Sequence, residues 1–185
     1  MTYLTKVAFL TFSLFFLHAC SLLRYSEPTE GPRAKVRFVT NSTEIATLMT
    51  YSDTGCKENE AEWMRLRDGY FVHGSLKTLG MPLWNYNKNS AKEVFVQSDK
   101  KLTFMFIGYE IQDGTRYDCG VPFTFSFSKN NNYEVKYLTD KKFCQVSVSK
   151  LHNLDGQWMT RELARYSNKL NEATLGCMEA FKDSL

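Results

Sequence analysis

Leu102-Thr103-Phe104-Met105-Phe106-Ile107-Gly108-Tyr109-Glu110-Ile111 carries the clearest strand signal in the chain. In an extended strand, successive side chains point to opposite faces. Phe104 and Phe106 then face one way, and Met105, Ile107, Tyr109 and Ile111 face the other. A strand that is apolar on both sides must be covered on both sides. Downstream, Asp113-Gly114 is a turn signal. Residues 122–128 follow, with Phe123, Phe125 and Phe127 alternating against Thr124, Ser126 and Ser128. Asn130-Asn131-Asn132 turns the chain into a strand over residues 133–138. A further strand over 143–150 sets Cys144, Val146 and Val148 against Gln145, Ser147 and Ser149. Cys144 is therefore expected to point at the core.

Upstream, residues 93–97 form a strand, joined to the first by a turn at Ser98-Asp99-Lys100-Lys101. Residues 35–40 alternate, with Val36 and Phe38 on one side and Arg37 on the other. After a turn at Asn41-Ser42-Thr43, residues 44–51 alternate again. Residues 61–72 fit a helical turn or an edge strand equally well. About seven strands at roughly ten-residue spacing predict a mainly β fold. The expectation is an immunoglobulin- or transthyretin-like antiparallel β-sandwich over residues 34–151. Asn132-Tyr133-Glu134-Val135 resembles the tyrosine corner of immunoglobulin-like sandwiches.

After Asn153-Leu154-Asp155-Gly156 the period changes. Met159, Leu163, Tyr166, Leu170, Ala173, Cys177 and Phe181 recur at steps of three and four, the spacing of one helix face. Residues 152–185 are expected to form a C-terminal amphipathic helix, packed on the doubly apolar strand. Gly176 inside it costs about 1 kcal/mol relative to Ala, a natural place for a break.

The amino-terminal end has a different character. Residues 1–19 hold one charge, Lys6, and no acid, and Val7 opens the apolar run VAFLTFSLFFL. That is signal-peptide length and shorter than the roughly 20 residues of a membrane span. Leu17, Ala19 and Cys20 resemble a bacterial lipobox, with His18 where a small or β-branched residue is usual. The resemblance implies cleavage of residues 1–19, an acylated Cys20 and insertion of its lipid into a membrane. Ser21, rather than Asp, after the cysteine resembles the outer-membrane sorting pattern of Gram-negative bacteria. Residues 20–33 are aperiodic, with Pro28, Gly31 and Pro32, and read as a tether. As a coil it reaches roughly 20 Å, which keeps the domain near the periplasmic face of the outer membrane.

Removing 19 of the 185 residues leaves 166, enough for one domain with a real core. The formal charge of +3 falls to +2 when Lys6 leaves. That is too weak to argue for nucleic acid. Cys56, Cys119, Cys144 and Cys177 remain. An even count in an exported chain argues for two disulfides. Three connectivities are open. Cys119 with Cys144 is favoured, because both flank strands of one apparent hairpin system, which leaves Cys56 with Cys177.

No GxSxG, HExxH, P-loop or GxGxxG motif is present. His73 and His152 have no Asp or Ser at telling spacing, and no cysteines form CxxC. The reading is therefore not an enzyme, with no catalytic residues, metal or cofactor. The loop over residues 77–86 carries Met81, Leu83, Trp84 and Tyr86, more apolar and aromatic than a connector needs. Either these residues bind a protein partner of the envelope, as hot-spot side chains do, or they plug one end of the core.

Gly55-Cys56, Leu79-Gly80-Met81-Pro82, Tyr133-Glu134-Val135 and the Cys-x-Val-x-Val strand at Cys144 together look like a group of uncharacterised small lipoproteins of Gram-negative bacteria. Tyr117-x-Cys119 and Ala164-Arg165-Tyr166-Ser167 resemble motifs of membrane-bound inhibitors of c-type lysozyme, with Glu162-Leu163 in place of the expected Ser-Gly. The expected role is a binding or scaffold module of the envelope. The alternatives are an inhibitor of a cell-wall-degrading enzyme and an accessory lipoprotein of a secretion or envelope assembly machine.

Overall fold

The computed structural model describes residues 27–51, 61–67, 78–82, 86, 90–140, 143–154 and 158–163. Cys20, Cys56, Leu83, Trp84, Cys177 and residues 164–185 lie outside them. Among the described residues nine strands form two sheets. They are β1 (Arg33–Thr40), β2 (Ala46–Tyr51), β3 (Ala61–Leu66), β4 (Ala91–Gln97), β5 (Lys101–Gln112), β6 (Thr115–Ser126), β7 (Asn132–Asp140), β8 (Phe143–Leu154) and β9 (Trp158–Leu163). One sheet has the order β4-β1-β7-β8-β9 and the other β3-β2-β5-β6.

The alternation that predicted the strands also decides their inner faces. Val36 and Phe38 of β1 and Val135 and Tyr137 of β7 meet Leu48 of β2, Phe104 and Phe106 of β5 and Phe123 of β6 in one core cluster. Phe38 bridges the sheets. Its ring lies 5.0 Å from Trp63 in an edge-on arrangement and 6.2 Å from both Phe104 and Phe106. Trp63 stacks on Phe104 at 4.9 Å. Such pairs add about 0.5–1.5 kcal/mol each beyond their area burial.

The ambiguity of residues 61–66 has a physical cause. The β2–β3 register shifts between Leu48, opposite Met64, and Met49, opposite Glu62, so Trp63 is the extra residue of a bulge. A bulge breaks strict alternation, which is why Trp63 and Met64, adjacent in sequence, are both in the core.

Two expectations need correction. First, the sandwich is not wholly antiparallel, because β1 runs parallel to β7, from Lys35 opposite Asn132 to Thr40 opposite Tyr137. Period-two alternation encodes which face a side chain takes, not the direction of the neighbour. Second, Trp158–Leu163, read as the start of a helix, is strand β9, antiparallel to β8 from Ser149 opposite Leu163 to Leu154 opposite Trp158. The spacing of Met159 and Leu163 suited a helix, but pairing with β8 satisfies the backbone of both segments, and tertiary context overrides a local period. The sheet therefore runs past the expected limit at residue 151.

Cys119 and Cys144 are joined by a disulfide with a Cα–Cα separation of 6.2 Å. The pairing agrees with the sequence reading, but its reason does not. Cys119 is on β6 and Cys144 on β8, in different sheets, so the bond ties the two layers together. Tyr137 reaches across the same gap. Its hydroxyl donates to the Cys119 carbonyl at 3.2 Å, and its ring stacks on Phe106 at 5.0 Å. It can do so because Gly108 has no side chain. A Cβ there would lie 2.9 Å from the Tyr137 hydroxyl and 3.1 Å from its ring. Tyr133, entering β7, accepts the Ser128 amide proton on its hydroxyl at 3.3 Å.

Tyr137 is fully buried, so it has little room to move aside. Gly108→Ala should therefore destabilise the protein by about 1–3 kcal/mol, the usual cost of overpacking. Denaturant unfolding followed by fluorescence would measure it, and an unchanged midpoint would contradict this packing.

Candidate functional site

Arg37 lies at the middle of β1, between two glutamates that the register puts directly beside it. Arg37 is opposite Glu93 on β4 and opposite Glu134 on β7. All three point away from the shared core, yet Arg37 is 0%, Glu93 2% and Glu134 2% exposed. The sequence reading had Arg37 simply on the far side of Val36 and Phe38. It is in fact the largest fully buried side chain among the described residues.

The cover comes from residues 79–82 and from Tyr86, together the strap. Arg37 donates through Nη2 to the carbonyls of Met81 and Pro82 at 3.0 and 2.8 Å. It also donates to Glu93 Oε1, through Nη2 at 2.7 Å and Nε at 3.0 Å, and through Nη1 to Glu134 Oε2 at 3.4 Å. Glu93 Oε2 accepts the backbone N–H groups of Leu79 at 2.5 Å and Met81 at 3.5 Å. Gly80, at φ 64° between them, turns both amides toward one carboxylate, as left-handed residues do in anion-binding nests. Tyr86 donates its hydroxyl to Glu134 Oε2 at 2.8 Å, and Lys35 Nζ donates to the Leu79 carbonyl at 2.8 Å.

The charges balance. Two carboxylates against one guanidinium leave an excess negative charge, and Lys136 Nζ stands 3.7 Å from Glu134 Oε1. Arg37 and Lys136 also lie 5.8 Å from the Tyr86 ring centroid, on which cations are attracted to the π face.

This arrangement places two of the expected recognition residues. Met81 is 5% exposed, and its backbone is bonded on both sides to the charged cluster. Tyr86 is half-buried, with its hydroxyl on Glu134. Both belong to a strap that closes the outer face of the five-stranded sheet. His152 lies on β8, where Ser149 and not His152 is the residue opposite Glu134, and His73 is outside the described residues. Sequence reasoning missed Glu93 and Glu134. Each of the three strands carries more than one charge, and the sequence does not mark Arg37, Glu93 and Glu134 as the buried ones; only the register that sets them side by side does.

A second polar cluster sits where β5 leaves the core. Glu110 accepts the Thr139 hydroxyl at 2.5 Å and the Thr43 hydroxyl at 3.1 Å. Partial burial raises the Glu110 pKa, but hydrogen bonds from Thr139, Ser42 and Thr43 outweigh it, and the net shift is downward. Burial, with Glu110 nearby, pushes the Tyr137 hydroxyl well above its ordinary value, so it remains a donor. Asn41 pairs with the Thr139 backbone as a strand would, accepting its N–H at 2.8 Å and donating to its carbonyl at 3.0 Å. Among the described residues no group of three His, Cys, Asp or Glu side chains is placed to hold a metal ion. No family model, curated protein or solved structure matches the chain.

Removing the guanidinium leaves two carboxylates buried and facing each other. Arg37→Met should cost about 3–5 kcal/mol and expose the strap to proteolysis. Glu134→Gln keeps an acceptor for Tyr86 and Arg37 and should cost less. Urea unfolding of the two variants would order them, and equal losses would refute the bonding described.

A carboxyl with a depressed folded pKa stabilises above its unfolded value, about 4.3 for Glu, and loses that contribution as pH falls through the lower folded value. Glu110 should therefore add to the acid limb of the stability curve. Thr139→Val removes the strongest of the hydrogen bonds that lower its pKa, so stability between roughly pH 5 and 3 should vary less steeply than in the parent. Thermal unfolding across that range would reveal the change.

Proposed function

We propose that this chain is a lipid-anchored binding or scaffold module on the periplasmic face of the outer membrane, built on an immunoglobulin- or transthyretin-like sandwich, and that it is not an enzyme. The observation that carries the reading is how the convergent charges are used. Among the described residues Arg37, Glu93, Glu134 and Tyr86 converge, and they bond to each other and to the strap backbone. A catalytic acid or nucleophile must instead present an atom to a substrate.

Two further features support the compartment. The apolar leader ending in Leu17-His18-Ala19-Cys20 resembles a lipobox. The Cys119–Cys144 bond suits an oxidising space. The last residues of the tether are bonded to the domain, Glu27 accepting the Phe95 amide at 3.0 Å and Arg33 donating to the Pro28 and Thr29 carbonyls. The domain would thus be held close to the lipid surface. The tyrosine-corner resemblance gains support from the Tyr133–Ser128 hydrogen bond.

Inhibition of a wall-degrading enzyme is the second reading. It draws on Tyr117 of Tyr117-x-Cys119, which is exposed on the β5–β6 hairpin. A role as an accessory of an envelope assembly machine is a form of the first.

Cys20→Ser should abolish incorporation of labelled fatty acid and release the protein from the membrane fraction. Retention of label would sink the anchoring proposal. Added to lysozyme, the purified protein should leave lysis unchanged; slowing at micromolar concentration would favour the second reading instead.

A further inference from the structure

β6 is an edge strand of the four-stranded sheet, and its first half stands clear of the core. Thr115, Arg116, Tyr117, Asp118 and Gly120 are all exposed. Tyr117 is 39% and Ile111, on the paired strand, 55% exposed. An open edge carrying apolar side chains is a template for another strand. β4, an edge of the other sheet, is treated differently, because Glu27 takes the Phe95 amide proton.

The direction of the free backbone groups follows from Pro122. The β5–β6 ladder runs through it, with Met105 opposite Pro122. A proline has no N–H to give, so within a strand its nitrogen faces the open side. At period two, Gly120, Asp118 and Arg116 share that orientation. Their N–H and C=O groups point outward, along a stretch with no proline and no lysine.

The charges then select a partner. We propose that residues 115–119 of β6 pair antiparallel with the same residues of a second copy of this chain, about a two-fold axis at Tyr117. In that register Arg116 lies opposite Asp118 of the second copy, and Asp118 opposite its Arg116. Both are outward-bonded pairs. The two Tyr117 side chains meet at the non-hydrogen-bonded position, where side chains approach closest. Centring the axis one residue either way opposes Asp118 to Asp118 or Arg116 to Arg116, and like charges directly opposite destabilise. The attraction of these two groups is already visible within one strand, where Arg116 Nη2 lies 2.6 Å from Asp118 Oδ1. The contact is self-complementary, as a two-fold interface must be, and it does not depend on the lipid anchor.

The test uses the full chain in detergent. Sedimentation should show a concentration-dependent dimer. Arg116→Asp sets acid against acid twice and should weaken the dimer at least about tenfold. Arg116→Asp with Asp118→Arg exchanges the charges and should restore it. These positions are exposed, so the fold is retained. A photocrosslinker at Tyr117 should join two differently tagged copies in native membranes. A parent protein that stays monomeric, a double variant no better than the single one, or a Tyr117 adduct with a different protein would each overturn the proposal.

Discussion

The Arg37 guanidinium, shut away from water between two carboxylates, constrains more of this molecule than any other group. Taking three charges out of water costs several kcal/mol per ion before any attraction is counted. The cost is offset only if each charge finds partners at good geometry. Arg37 meets that demand from β4 and β7 at once, at one level of the sheet. Shifting either neighbour by one residue would point its glutamate into the apolar core and leave Lys92 or Val94, or Tyr133 or Val135, beside Arg37 in place of a carboxylate. The ion cluster therefore acts on register more than on net stability. That matters most for β1 and β7, a parallel pair with no short turn between them to set the alignment.

The same cluster explains the strap. A strip of backbone laid over a sheet has polar groups that need partners, and a charged sheet face would otherwise need water. Leu79, Met81 and Pro82 supply amides to Glu93 and carbonyls to Arg37, so each surface satisfies the other. Met81 packs down beside them, and Tyr86 adds the hydroxyl that Glu134 lacks. On the opposite side of the sheet the logic is apolar. Phe38, one residue from Arg37, reaches Trp63, Phe104 and Phe106. Two adjacent residues of β1 thus organise two different chemistries, one on each face.

What the sequence made legible follows from this division. Where a strand is apolar in and polar out, alternation is sufficient, and β1, β4, β7 and β8 were each found within a few residues; β5 was found because it is apolar on both faces. It failed where a second rule intervened. At Trp63 a bulge cancelled the period. At Arg37 the polar face was itself covered, which no single strand can reveal, because the cover lies more than forty residues away. The Trp158–Leu163 strand carried apolar residues four apart, which fits a helix as well as a strand, and only the unpaired side of β8 distinguishes them. Cysteine counting made the Cys119–Cys144 bond plausible but did not place it between the sheets, since sheet membership comes from long-range pairing. Of the expected recognition loop, Met81 and Tyr86 fall in the strap.

The two edges described in detail, β4 and β6, are finished in different ways, and this bears on what kind of protein it is. β4 has its Phe95 amide taken by Glu27, and the sheet face beside it is sealed by the strap. β5 and β6 run on past the core as a two-stranded arm, held at its root by Tyr137, the Cys119–Cys144 bond and the Glu110–Thr139 contact. An isolated hairpin is marginally stable in water. This one is fixed where it leaves the sandwich, by the Cys119–Cys144 bond and by Tyr137 seated over Gly108. The arm belongs to the four-stranded sheet, whereas the buried charges belong to the five-stranded one and are used in holding it. The exposed end of the arm and the buried charges thus lie apart, and substitutions at Thr115, Arg116, Tyr117 or Asp118 change the surface without entering the core.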